Sequence, residues 1–547
     1  MSDERFDLVL VGGGSKILPV AMYAAKYAGL SVGIFECRHE LGGCWSSEEA
    51  AVAGFISELH SSTVWKDLYF APLWEDFPDW GEKGVKLGRH KIGTGMIMEE
   101  DDSCVALYHP EEDPNQERTA RSIAQFSEKD AETYLKLWEL NKPGGPLTDA
   151  RIEGAFNVPP PPDQPDAFEK FMLWYLKQPD CMIDQRWLNL PSLQAAYEFW
   201  ESPEMIRLTL SFAQVMGNVE AAIPALFIGI PHLANCYFVI GGTHNIAHAA
   251  HRIIIENGGK IFTNHPVSKI LVKNGEAKGI RLEDGTEIAA KKAVVTGVSP
   301  DQLCFEMLES EHLSPKIRNK IKHLERRLAC ITWYSWALHE PPDYKAAAHT
   351  PDIKYTQRMT LGSKDPDLII KEQAWRRLLK DPPETEIIVL GVHSQEDNTR
   401  SPDGKHVVGT SQTVLPANAR TPEEWKEYKK SNAEYILSQW QKYAPNMTWD
   451  NVIGYCPTTP YDTASRMRNM WPTGNHHVVD DSPGQTNKFK PITEFARHRT
   501  PIKNLYATGA AWGPFAGAHT CQGYRCYKAL AEDLGLDKPW EKKGRSY

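Results

Sequence analysis

The glycines Gly12-Gly13-Gly14 follow the apolar run Phe6–Val11 and precede a stretch rich in alanine, an order suited to holding the phosphates of a dinucleotide. Gly12 permits a tight turn and Gly14 lets the backbone approach a pyrophosphate. The helix beginning at Ser15 and Lys16 offers free N–H groups and the positive end of its dipole. Glu36, 22 residues after Gly14, is placed to accept hydrogen bonds from an adenosine ribose, with Cys37 beside it. His244, His248 and His251 share a helical face, which invites a metal reading, but no carboxylate or cysteine nearby completes a ligand set, and no metal is expected.

These residues require elements to position them. Phe6–Val11 is too apolar to alternate, as expected for a strand buried on both faces of a parallel sheet. A helix is predicted over 16–28, with Ala21, Ala24, Ala25 and Ala28 as a small-residue face, then Gly29 as a stop and a second strand at Ser31–Glu36. Ile17 stands where the fingerprint has its third glycine, so the helix should shift slightly without losing its phosphate-facing backbone. A second patterned segment, 241–299, reads as a helix (243–257) followed by short strands, and a third, 500–535, as a strand (504–508), a loop of small residues and a last helix (524–534). The expected fold is α/β (α+β overall). A Rossmann-like nucleotide-binding domain is assembled from 1–75, 240–305 and 455–547, and an inserted substrate-binding domain of mixed sheet and helices is formed by 76–239 and 306–454.

The 547 residues carry 61 Lys+Arg against 71 Asp+Glu, a formal charge of −10, which gives no general footing for nucleic-acid binding. Ten scattered cysteines form no Cys-x-x-Cys pair and are expected as reduced thiols. The N-terminus lacks a secretory signal pattern, so a cytoplasmic location is expected. The apolar stretch 221–242 is broken by Pro224, Pro231, His232 and Asn235 and is not expected to span a membrane, although its first half can line a lipophilic tunnel or touch a membrane surface.

The continuation Leu41-Gly42-Gly43-Cys44-Trp45, the block Gly241-Gly242-Thr243 with Gly258-Gly259-Lys260-Ile261, the hairpin region from Val267 to Asp284-Gly285, and Thr500–Gly509 join the fingerprint in one order. In these five blocks the sequence resembles the phytoene desaturase (carotenoid dehydrogenase) type of FAD-dependent oxidoreductase, related to the amine oxidases and to the GDP-dissociation inhibitor fold. The resemblance implies FAD, with Gly42, Gly43, Cys44 and Trp45 near the pyrophosphate and Val267 near the adenine. Gly509, Ala510, His519 and Thr520 would lie in the segment that caps the phosphates and flavin. Cys44 stands where the family often has Arg or Thr, and the loop Gly513–His519 is bulkier than the family's usual glycine-rich one.

The resemblance also places 54–62 on the strand and loop that reach the flavin. Glu58 and His60 are alternate residues and would share one face of an extended segment, with His60 as base and Glu58 as its orienter or a second carboxylate. His519 is the second candidate base. Tyr524 and Arg525 open the last helix, whose N-terminus could stabilise negative charge on reduced flavin. No second dinucleotide fingerprint follows a strand elsewhere, so the expected electron acceptor is oxygen, a quinone or a carrier protein. The expected activity is dehydrogenation or desaturation of a lipophilic substrate, isoprenoid-like or alicyclic, such as a carotenoid or terpene. Alternatives are ketolase, isomerase or hydroxylating terpene dehydrogenase chemistry, a non-catalytic prenyl-binding protein like the Rab GDP-dissociation inhibitors, and an amine oxidase, for which the C-terminal loop lacks a paired aromatic cage.

Overall fold

The computed structural model describes residues 5–215, 217, 219–220, 229–482, 484–513 and 519–547. Most of the apolar run Ala222–Ile230 and of the loop Gly513–His519 therefore lies outside the described residues. The strand Arg5–Val11 runs parallel to Val32–Phe35 on one side and to Glu287–Thr296 on the other. Leu8 and Leu10 enter one hydrophobic core and Val9 and Val11 the opposite one, which is why the strand has no polar face. Lys260–Phe262 adds a parallel edge strand beside Val32–Phe35, and Leu505–Ala507 pairs with the last residues of Glu287–Thr296. Val267–Lys273 and Glu276–Leu282 form an antiparallel pair on the same sheet. This seven-stranded sheet is built from three distant stretches of chain.

The helix Ile17–Lys26 packs on this sheet with His244–Glu256 and Cys521–Leu534, and Ala21, Ala24 and Ala25 are buried in the shared core. Ile17 finds its space in a way the fingerprint did not suggest. Gly297 follows the strand Glu287–Thr296, and a Cβ on it would stand 2.5 Å from Ile17 Cγ1. The glycine missing from the helix is thus supplied by the sheet.

A second seven-stranded sheet has the order Val452–Thr458, Ile331–Leu338, His406–Thr413, Ile387–Val389, Thr356–Gly362, Ile92–Met98, Cys104–Tyr108, with one parallel pairing, between Thr356–Gly362 and Ile92–Met98. Val452–Thr458 crosses the 454/455 boundary expected from the sequence. One face of this sheet packs on the helix Pro422–Tyr443, started by a capping box of Thr421 and Glu424. Part of the other carries helices between 117 and 215 through Met96, Met98, Val105 and Leu107. No helix among the described residues is long and apolar enough to cross a membrane, and all ten cysteines are free.

Candidate active site

The phosphate-facing turn is preformed. Gly12 has φ +88°, and a Cβ built on Gly12 or on Gly14 would meet nothing within 4 Å, so both face open space. Behind them the second glycine turn closes: Gly14 bridges Gly42, Gly42 N donates to Gly13 O at 2.9 Å, and a Cβ on Gly42 would stand 2.6 Å from Trp45 O. The helix at Ile17 has no side-chain cap and no acid in its first turn, which leaves its dipole free for an anion. Ser15 and Lys16 are buried, with Lys16 Nζ 3.2 Å from Ser15 Oγ, and burial holds the Lys16 ammonium down to about 8. Glu36 accepts from Gly13 N at 2.6 Å and from Arg38 N at 2.8 Å, and Cys37 Sγ lies 3.2 Å from it. The loop leading to Val267 hangs on this strand end through His265 N to Glu36 O at 2.9 Å. Opposite, Gly509 has φ +147°, Thr508 N donates to Thr296 O, and the buried Thr508 hydroxyl has no partner. The open cradle, the uncapped helix and the acid at the end of the second strand fit an FAD.

Glu58 and His60 part company. The Glu58 carboxylate accepts from Ser47 Oγ and Thr243 Oγ1, both at 2.6 Å, and pairs with the buried Arg400 at 2.8 Å. It is absent from the cavity wall and has no capacity left to orient an imidazole, which corrects the paired reading of these two residues. Its main chain does orient the loop: Trp333 Nε1 of the second sheet donates to Glu58 O at 2.7 Å.

His60 lines a cavity of about 880 Å³ beside the second sheet. Its ring is stacked at 6.2 Å on Trp333, and its Nε2 is buried without a partner. Burial pushes its pKa down to about 4, helped by the positive charges of Arg466 and Lys16, so it is a neutral imidazole near pH 7. His519 lines the same cavity, edge-on to Tyr69 at 4.7 Å, and burial holds it well below its ordinary value. Thr520 Oγ1 donates to Tyr69 O, fixing that corner. Arg525 donates to Gly513 O at 2.5 Å from the last helix, while His244 and His248 meet edge to face with ring centroids 5.0 Å apart. Among the described residues no three metal-ligating side chains come together.

The cavity also holds groups that no sequence motif marks. His476 and His477 reach it from 455–547, as does Asp481, whose Oδ1 pairs with the buried Lys490 at 2.8 Å and whose Oδ2 lies 3.7 Å from His477 Nδ1. The doublet of histidines was the available signal, but it sits outside any motif. The second sheet contributes Trp333, Arg358 and Leu390.

Comparison with known proteins agrees with this geometry. The family described as flavin containing amine oxidoreductase matches residues 191–334. A limonene dehydrogenase chain from Castellaniella defragrans is 22% identical across 98% of this chain and 96% of its own length. The zeta-carotene-forming phytoene desaturase of Myxococcus xanthus is 23% identical over 58% of this chain and 57% of its own. The chain is thus similar to flavin-containing oxidoreductases of the phytoene desaturase type. FAD is its cofactor and it is an oxidoreductase. The same fold is seen in an oxidoreductase from Methanosarcina mazei, with a TM-score of 0.60 at 18% identity over 96% of this chain and 99% of that one.

Proposed function

We propose that the protein is an FAD-dependent dehydrogenase that takes a hydride from a C–H bond of an apolar, alicyclic or isoprenoid-like substrate, with terpenes and carotenoids as the nearest chemistries. The observation that carries this reading is the cavity, whose volume of about 880 Å³ lies in the ordinary range of small-molecule sites and whose walls include Leu147, Phe168, Phe212, Leu233, Leu390 and Trp333 beside His60. Bound FAD supplies the hydride acceptor. The phosphates are held by Gly12, Gly14 and the start of the helix Ile17–Lys26, backed by Gly42 and Gly43, and Glu36 takes the ribose. His60 is neutral and can accept a proton released as the substrate carbon is oxidised, while Trp333 fixes its plane. The apolar walls exclude water from the reacting carbon. Residues 1–75, 240–305 and 455–547 form the cofactor half in this reading, and 76–239 with 306–454 most of the substrate half. Electrons leave to oxygen, a quinone or a carrier protein.

The test is anaerobic reduction of the FAD-loaded protein by limonene, phytoene, alicyclic ketones, alicyclic carboxylic acids and amines, followed by loss of flavin absorbance. Bleaching by a lipophilic donor and not by amines is expected. A protein that binds FAD but is bleached by none of them overturns the dehydrogenase reading in favour of a prenyl-binding role.

A further inference from the structure

A hydrocarbon substrate accounts for the apolar wall of the cavity but not for Arg358. This residue sits on the strand Thr356–Gly362, lines the cavity and is only 6% exposed. Both terminal nitrogens of its guanidinium are buried without a hydrogen-bond partner, and its charge lies over the ring of Phe212, 5.2 Å from the centroid. The carboxylate whose field reaches it is Glu386, and Glu386 Oε2 is already held by Arg207 Nη1 at 2.8 Å and Ser211 Oγ at 2.6 Å. Among the described residues no carboxylate comes within ion-pair distance of Arg358.

Burial lowers the affinity of Arg358 for its proton, yet a guanidinium remains charged at any physiological pH. An unpaired buried cation is costly, and the cost falls when an anion arrives with matching geometry. Arginine presents two parallel N–H donors to a carboxylate, a match that neither a hydroxyl nor a hydrocarbon makes. The neighbouring walls, Phe212, Leu233, Leu390 and Trp333, would take an apolar body, and Trp333 in turn stacks on His60.

We propose that Arg358 anchors a carboxylate on the substrate, so that the substrate class is an alicyclic or isoprenoid carboxylic acid bound with its apolar body toward Trp333 and His60. This rests on reading the cavity as the substrate site of a dehydrogenase.

The experiment compares two ligands of one shape, 4-isopropylcyclohexanecarboxylate and its neutral amide, by calorimetric titration into the FAD-loaded protein and into its R358L and R358K variants. The carboxylate should bind wild type about tenfold to a hundredfold more tightly than the amide, as befits a charge-assisted hydrogen bond. R358L should abolish that preference and R358K should keep part of it. Without ligand, R358L should melt no lower than wild type, because it removes an unpaired buried charge. Equal binding of both ligands to wild type, binding of neither, a preference that survives in R358L, or a melting temperature lowered by R358L would each overturn the assignment. If a hydrocarbon donor still bleaches the flavin in such a case, the dehydrogenase reading stands and only the carboxylate falls; if no lipophilic donor does, both fall.

Discussion

Glu58 and His60 are two residues apart and do opposite work. Glu58 spends its carboxylate on Ser47, Thr243 and Arg400, tying the strand before the cavity to the turn that starts the helix His244–Glu256. Replacing it by Gln breaks a buried ion pair while leaving Arg400 one carboxylate, Asp397 at 3.0 Å, beside the Val239 carbonyl, and should cost about 3 kcal/mol of unfolding free energy in a denaturant titration. The pH profile of flavin reduction should not move; a shifted profile in a fully folded variant would return Glu58 to the chemistry. His60 carries the opposite expectation. As the proton acceptor, its replacement by Ala should slow anaerobic flavin reduction about 10²- to 10⁴-fold with little loss of stability. A base held down to about 4 is already deprotonated at neutral pH, so the rate should stay level from pH 8 to about 5 and fall only as pH approaches 4. A wild-type rate that drops through pH 6 to 7 would assign the proton to another group.

At the scale of elements, the glycine turn makes two neighbouring positions behave differently. Gly14 has an ordinary backbone conformation and open space where a Cβ would go, so Gly14→Ala should fold as well as wild type, or up to about 1 kcal/mol better, while the new methyl intrudes on the phosphates. Purified Gly14→Ala should carry at least tenfold less FAD by its absorbance ratio, with an unchanged melt of the cofactor-free protein. Gly42→Ala should lose both, because φ +118° and the 2.6 Å approach to Trp45 O admit no side chain. Cofactor content equal to wild type in Gly14→Ala would remove this turn from phosphate binding. These elements were legible in the sequence because each is local: the apolar strand, the glycines, the alanine face and the acid after the second strand lie within about forty residues. The site beyond the cofactor was not. Trp333 and Arg358 reach the cavity from the second sheet, His477 and Asp481 from a loop bridged to Cys330 at Asn475, and the compensation of Ile17 by Gly297 crosses 280 positions. No periodicity in one chain reports such pairings.

For the whole molecule, packing two sheets and their helices leaves many ionisable groups buried, and this sets how stability follows pH. Burial pulls His60 and His109 down to about 4, and His90 and His476 down to about 3. A depressed folded value means that the unfolded chain takes up the proton first, so each such histidine supports the fold above its ordinary value of 6.5 and withdraws that support as pH falls toward its folded value. At pH 5 the loss is at most about 2 kcal/mol per histidine. Buried acids act the other way. Glu372 is raised to about 7 and Asp480 to about 6, so each favours the fold below its ordinary value and loses that effect as pH rises through its folded one. The opposing contributions overlap between pH 4 and 7, but the histidines outnumber the acids. Thermal melts should therefore fall by several degrees between pH 7.5 and pH 5. Removing one buried histidine away from the cavity, as in His90→Gln, should flatten that slope, since His90 meets His393 at 3.2 Å and does not line the cavity. A melt that rises on acidification would mean that the carboxylates at the centre of the fold, rather than its histidines, govern its stability.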